Sequence, residues 1–228
     1  MKAMILAAGR GERMRPLTDH CPKPLLSVAG KPLIEHHIRA LADAGITDIV
    51  INHAWLGEQI VDFCGDGSRW GVAISYSNES HGALETAGGI INALPLLSAT
   101  DQPFLVINAD IFCAINFSQL PTLADEDLAH LWLVDNPSHH PKGDFSLLNG
   151  RLAPLQATKK QVQHYTFSGI GLYRPAFFQP TTLQQVLPLA PLLRQYALQN
   201  KLSASVLSSY WFDIGTPERL QQINQLFS

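Results

Sequence analysis

The sequence predicts an α/β fold: a Rossmann-like, mixed and mainly parallel sheet flanked by helices. Three observations predict it. Short apolar, β-branched runs alternate with segments of helical spacing through the first half of the chain. The first run leads straight into a glycine-rich loop, and a later one ends at "NAD", residues 108–110. No internal repeat or polar linker divides the 228 residues, enough chain for one large core.

The elements follow in order. Met1–Ala7 is a short apolar strand. Lys31–Ala44 sets Leu33, Ile34, Ile38 and Leu41 at helical spacing and stops at Gly45. Asp48–Asn52 is a strand, Trp55–Phe63 a helix and Val72–Tyr76 a strand. Glu85–Leu94 suits a helix ended by Pro95, and Phe104–Ile107 a buried strand. The second half is less regular. Leu128–Val134, Asp144–Leu148 and Thr166–Tyr173 are strand candidates, and Leu183–Gln199 is a helix that Pro188 and Pro191 should break in two. In the last helix Thr216 caps, Pro217 takes the first helical position and Glu218 complements the dipole. The expectation is one domain over residues 1–228.

A net charge of −3, with 15% charged residues, leaves no electrostatic footprint for nucleic acid. Positive charge is instead local, in Arg10, Arg13, Arg15 and Lys23, which suits a small anion. The 3 cysteines match no metal spacing and are expected as reduced thiols. No run approaches the ~18 apolar residues of a membrane span, and the first residues begin a strand rather than a signal peptide. A cytoplasmic protein, monomeric or a small homo-oligomer, with no membrane or nucleic-acid partner, is expected.

In a parallel sheet, ligands bind beyond the carboxyl ends of the strands. The loop Ala8–Thr18 leaves the first strand at that edge. Gly9 and Gly11 let backbone approach a ligand and aim N–H groups at phosphate oxygens, while Arg13 and Lys23 add mobile cations. The loop is neither a P-loop, which needs G-x-x-x-x-G-K-[ST], nor a dinucleotide fingerprint, whose third glycine is Met14 here.

"AAGRGERMRPLT" followed by "PKPLLSVAGKPLI" resembles the signature of the sugar-1-phosphate nucleotidyltransferases, the pyrophosphorylases that make NDP-sugars. "ALETAGGI" at 83–90 resembles the family's L-G-T-A-G segment, with Glu85 where glycine is commoner. "VINADIF" and "WFDIGTPERL" resemble its two aspartate blocks. The resemblance implies a nucleotide-binding half over about 1–112 and a sugar-binding half over about 113–228. It implies Arg13 and Lys23 as catalytic cations, and Mg²⁺ on Asp110 and Asp213. It places Leu6, Ala8, Gly9, Gly11, Glu79, Ala83, Asn108 and Ala109 around the nucleotide, with Glu79 near the base. Glu85, Asp144, Ser168 and Gly169 fall on the sugar side.

The chain departs from the family where the sugar binds. The E-K-P triplet is replaced by "LAPLQATKKQVQHY", in which Lys159 or Lys160 could substitute, and the G-Y-G stretch by "PKGDFSLL". "INHAWLGEQI", "VDNPSHHPKGDF" and "FSGIGLYRP" are most similar to small members that join UTP to N-acetylmuramic acid 1-phosphate (MurNAc-1-phosphate) in cell-wall recycling. The alternatives are a mannose-1-phosphate guanylyltransferase or another sugar-1-phosphate nucleotidyltransferase, and an inactive regulatory homologue, the last disfavoured because Arg13, Lys23, Asp110 and Asp213 are all present. A muramic acid carries a lactyl carboxylate, for which Lys142 beside Gly143 is the candidate partner. Arg10 and Arg15 read as solvated cations, and Trp55, Trp70 and Trp132 as packing residues. The adjacent pairs His36–His37 and His139–His140 point apart and cannot share a metal.

Overall fold

Ala3, Met4 and Ile5 are all wholly buried, so the first strand is a continuous apolar run, as a strand covered on both faces requires. The computed structural model describes residues 1–79, 82, 84–98, 101–155, 162–179 and 183–227. In chain order the elements are β1 (Lys2–Leu6), β2 (Ser27–Val28), β3 (Lys31–Pro32), α1 (Leu33–Asp43), β4 (Asp48–His53), α2 (Gly57–Cys64), β5 (Ala73–Asn78) and α3 (Glu85–Leu97). Then come β6 (Phe104–Asn108), β7 (Ile111–Cys113), β8 (Ala129–Val134), β9 (Phe145–Leu148), β10 (Arg151–Pro154), β11 (His164–Tyr173), α4 (Leu189–Leu198), β12 (Leu202–Val206), β13 (Trp211–Asp213) and α5 (Pro217–Leu226).

Nine strands form one mixed sheet in the order β5-β4-β1-β6-β11-β8-β12-β10-β9. β5, β4, β1 and β6 run parallel. β11 enters antiparallel between β6 and β8, and β12 is parallel to β8. The parallel half thus belongs to the first part of the chain, and antiparallel pairing arrives with the second. Alternation along the strands splits the core in two. Met4, Val50 and Val106 pack under α3 and α4, whereas Ala3, Ile5, Ile49 and Ile51 pack under α1 and α2. A third, smaller cluster joins Met14, Phe112, Ile214 and Ile223.

Several boundaries differ from the sequence reading. α1 begins at Leu33 because Lys31–Pro32 pairs with Ser27–Val28. α2 begins at Gly57, after Leu56 turns left-handed at φ 50°. α3 runs through Pro95 to Leu97. Only Leu96 and Leu97 follow the proline in the helix, and the Ser98 N–H closes on the Leu94 carbonyl at 3.0 Å. α4 is a single helix rather than two pieces: Pro188 is its extended N-cap, and Pro191 falls in the first turn, where a missing N–H costs no intrahelical bond. β7, β10, β12 and β13 were not anticipated, since runs of 3–5 residues carry little periodicity. The cap of α5 is as expected, with Thr216 Oγ1 accepting from the Arg219 N–H at 3.4 Å.

Near the sheet centre the Tyr173 ring folds back over Gly171, where a Cβ would lie 2.5 Å from the ring. The buried Tyr173 hydroxyl has no hydrogen-bond partner among the described residues. Tyr173→Phe is therefore expected to leave stability unchanged or raise it by up to ~1 kcal/mol in urea unfolding, because an unsatisfied buried hydroxyl is lost. Gly171→Ala should lower it by more than ~1 kcal/mol through overpacking. A clear loss in Tyr173→Phe would mean that the hydroxyl is satisfied in solution.

Candidate active site

A cleft of about 410 Å³ opens at the carboxyl ends of β1 and β6. The loop after β1 forms one wall, the start of α3 another, and Gly215 closes one end. Gly11 is at φ 68°, and a Cβ there would sit 3.0 Å from Thr18 Cγ2 and 3.3 Å from Lys23 Cβ. Glycine is thus required by both backbone and space. Gly9 has nothing within 4 Å of where its Cβ would be, so the cleft side of the loop is open to an incoming group.

The three arginines of this loop divide their work. Arg10 donates to the Thr18 carbonyl at 2.9 Å and to Asp19 at 3.2 Å, and lies 3.8 Å over the Trp55 ring. Arg15 Nε donates to Asp19 Oδ1 at 2.8 Å. Neither is simply solvated; both tie the loop down. Trp55 is no core residue either: it is 39% exposed, and its Nε1–H donates to the same Thr18 carbonyl at 3.0 Å. Arg13 instead lines the cleft together with Lys23.

Asp110 and Asp213 are brought together by pairing. β7 and β13 form a two-stranded antiparallel ribbon in which Ile111 faces Asp213. The Ile214 N–H donates to the Asp110 carbonyl at 2.8 Å. Each carboxylate has cationic company. Lys23 Nζ lies 2.6 Å from Asp110 Oδ2, Arg219 donates to Asp213 Oδ2, and His139 Nε2 lies 3.1 Å from Asp213 Oδ1. Among the described residues no group of three or more metal-binding side chains converges. Two oxygen donors fit Mg²⁺, which takes few protein ligands and completes its shell with water and phosphate oxygens. The histidine pairs do point apart. His140 goes to Asp144 at 3.0 Å while His139 goes to Asp213. His36 Nε2 meets the Val28 carbonyl at 2.8 Å, and burial pushes His37 down to about 4.

At the other end of the cleft Glu79 is 4% exposed. Burial raises its pKa, against the lowering effect of hydrogen bonds from Asn52 and the Leu84 backbone. Asn52 was missed by the sequence reading, although an asparagine ending the apolar run "DIVIN" was the available signal. Its Nδ2 donates to Glu79 Oε1 at 2.7 Å, and its Oδ1 accepts the Ala7 N–H at 2.8 Å. Gly89 of α3 makes room for this pair, since a Cβ would come 2.7 Å from Glu79 Oε1. Leu6, Ala8, Asn108 and Ala109 also line the cleft. Ala83, Lys159 and Lys160 lie outside the described residues.

The residues assigned to the sugar separate. Glu85 lines the cleft in a left-handed conformation, φ 62°, which explains why glycine is the commoner residue there. The other three do not line it. Ser168 is wholly buried, its Oγ accepting the Ile170 N–H at 3.2 Å, so its hydroxyl faces protein rather than a ligand. Gly169, φ 84°, backs Asn108, where a Cβ would lie 2.8 Å from Asn108 Nδ2. Asp144 Oδ2 accepts the Phe167 N–H at 2.9 Å, and its other oxygen meets His140. Of these three, only Gly169 abuts a cleft residue, Asn108.

A glycine-rich loop with cleft-lining cations at the strand ends, next to a ribbon that carries two aspartates, suits an enzyme that handles phosphorylated substrates. Residues 2–144 match the nucleotidyl transferase family, and the chain belongs to it. It is 53% identical over 233 residues to an N-acetylmuramate alpha-1-phosphate uridylyltransferase of Neisseria meningitidis serogroup B, covering 99% of this chain and 98% of that one. It is 29% identical to mannose-1-phosphate guanyltransferase beta-B of Xenopus laevis, over 96% of this chain and 62% of the relative. A putative glucose-1-phosphate thymidylyltransferase from Bacillus anthracis shares the fold at a TM-score of 0.83 and 24% identity, covering 100% of this chain and 95% of that one.

The Asn52 junction is testable without substrate. Asn52→Ala strands the Ala7 N–H and removes a donor from Glu79, and should cost ~1–3 kcal/mol of unfolding free energy. Stability equal to that of the unaltered protein would show that water replaces both bonds.

Proposed function

We propose that this enzyme transfers the uridylyl group of UTP to MurNAc-1-phosphate, giving UDP-MurNAc and pyrophosphate in the cytoplasmic recycling of cell-wall sugar. The observation that carries the reading is 53% identity across 99% of the chain to a uridylyltransferase of that specificity. The presence of Arg13, Lys23 and both aspartates around one cleft and its ribbon supports it.

The sugar-phosphate oxygen attacks the α-phosphorus of UTP, the α–β bridging P–O bond breaks, and its electron pair leaves on pyrophosphate. The attacking phosphate is already anionic at neutral pH, so no side chain needs to remove a proton. Catalysis is then positioning and charge stabilisation. Backbone N–H groups at Gly9 and Gly11 cradle the triphosphate, and Arg13 stabilises the charge growing on the leaving pyrophosphate. Lys23 moves from Asp110 to the α-phosphate region, which its flexible stem permits. Glu79, steadied by Asn52, accepts a hydrogen bond from the imino N–H of the uracil. Glu85 accepts hydrogen bonds from the sugar. Asp110 and Asp213 would hold Mg²⁺, which would supply Lewis-acid neutralisation of phosphate charge.

The test is a matrix of UTP, dTTP, GTP, CTP and ATP against the 1-phosphates of MurNAc, GlcNAc, glucose and mannose, read as pyrophosphate release with Mg²⁺. UTP with MurNAc-1-phosphate should give the highest kcat/KM. GTP with mannose 1-phosphate as the best pair would overturn the substrate assignment. In the same assay Asp110→Ala and Asp213→Ala should each lose about 10²-fold or more in rate. Arg13→Ala should slow turnover with every sugar, since pyrophosphate leaves in all cases. An Arg13→Ala enzyme altered only in sugar ranking would reverse the orientation of the substrates in the cleft.

A further inference from the structure

Resting on that reading, we propose that Arg219 and His139 form the subsite for the lactyl carboxylate of the sugar substrate. MurNAc-1-phosphate differs from GlcNAc-1-phosphate by this one anionic arm, so selectivity between them needs a partner that the phosphate does not use. The cations of the glycine-rich loop belong to the phosphate end. Lys142 lies on an exposed turn.

Arg219 and His139 converge from two parts of the chain. Arg219 stands in the first turn of α5, with its guanidinium against Gly215, where a Cβ would lie 3.0 Å from Nη2. Gly215 itself lines the cleft. His139 comes from the loop between β8 and β9, in the sugar-side half, and its Nε2 lies 3.0 Å from Arg219 Nη1. Between them they hold a carboxylate, that of Asp213. The guanidinium and imidazole therefore already present a carboxylate-binding geometry, and both side chains are partly open to solvent, at 20% and 39%.

Asp213 is an internal occupant with a second claim on it, as one of the two oxygen donors proposed for Mg²⁺. When its carboxylate turns to that role, the guanidinium loses its carboxylate partner, and His139 Nε2, which meets Arg219 Nη1 at 3.0 Å, can as an N–H donate to an incoming carboxylate instead. A lactyl carboxylate entering there restores the charge-assisted hydrogen bonds. A neutral hydroxyl in the same place does not.

The experiment compares MurNAc-1-phosphate with GlcNAc-1-phosphate, which share the phosphate and differ in the carboxylate. With UTP saturating, Arg219→Gln and His139→Gln should each reduce the preference for MurNAc-1-phosphate by about tenfold or more, chiefly through KM. Arg219→Lys, which keeps charge but loses the planar fork, should fall between. Calorimetry without divalent cation reads the site apart from turnover. Asp213→Asn removes the internal occupant, so its gain in affinity for MurNAc-1-phosphate should exceed its gain for GlcNAc-1-phosphate by about fivefold or more. Adding Arg219→Gln to that variant should abolish the excess. Equal losses for both sugars in Arg219→Gln, or equal gains in Asp213→Asn, overturn the proposal and leave Arg219 a positioning residue for Asp213. An unaltered protein that makes no UDP-MurNAc sinks the functional reading instead, a result distinct from a selective enzyme whose preference survives Arg219→Gln.

Discussion

The pairing of Ile111–Cys113 with Trp211–Asp213 is the contact on which the candidate site depends. Three residues per strand make a weak ribbon in isolation, so its stability must come from what packs on it. Phe112 and Ile214 bury their side chains with Met14 of the glycine-rich loop and Ile223 of α5. Phe227 adds an edge-on contact to Phe112, with ring centroids 5.0 Å apart. One small apolar cluster thus holds three things in register: the anion-binding loop, the strand after Asp110 and the strand ending at Asp213. Met14, which spoils the dinucleotide fingerprint, is the loop's anchor into that cluster.

Charge is organised around the same ribbon. A chain of net charge −3 places Lys23 against Asp110 and Arg219 against Asp213, each pair at least partly shielded from water. Such pairs are weak evidence for stability, because desolvation offsets much of their attraction. Their arrangement makes more sense as readiness for substrates. A cleft that accepts a nucleoside triphosphate and a sugar phosphate needs cations close by, and Asp110 holds Lys23 beside it. Arg10 and Arg15 show the contrast, since both are committed to Asp19 and to the shape of the loop.

The opposite end of the cleft is built on a buried, hydrogen-bonded asparagine–glutamate pair. Asn52 links the backbone of the phosphate loop to Glu79, and Gly89 of α3 leaves the space in which the pair fits. A buried carboxylate with fixed hydrogen bonds is a rigid acceptor. Glu85 carries the opposite signature, a side chain kept where the backbone favours glycine. Its left-handed conformation costs on the order of 1 kcal/mol, and that cost points to a role for its carboxylate in the cleft.

What the sequence determined by itself was whatever rests on local pattern. The apolar runs of β1, β4 and β6, the spacing of α1, the cap of α5 and the glycine-rich loop all carry their reason within a few residues. The loop cations and both aspartates were legible because their motifs are contiguous. The tertiary structure alone decided which of them meet. The β7–β13 ribbon joins segments about a hundred residues apart, and three-residue strands have no periodicity to read. Asn52 looked like the end of a strand, and its role appears only once Ala7 and Glu79 lie beside it. Ser168 and Asp144 were placed on the sugar side by motif, and folding gives each one a backbone N–H as a partner. Side-chain chemistry is written locally, but an acceptor's partner is chosen by whichever donor the packed chain delivers to it.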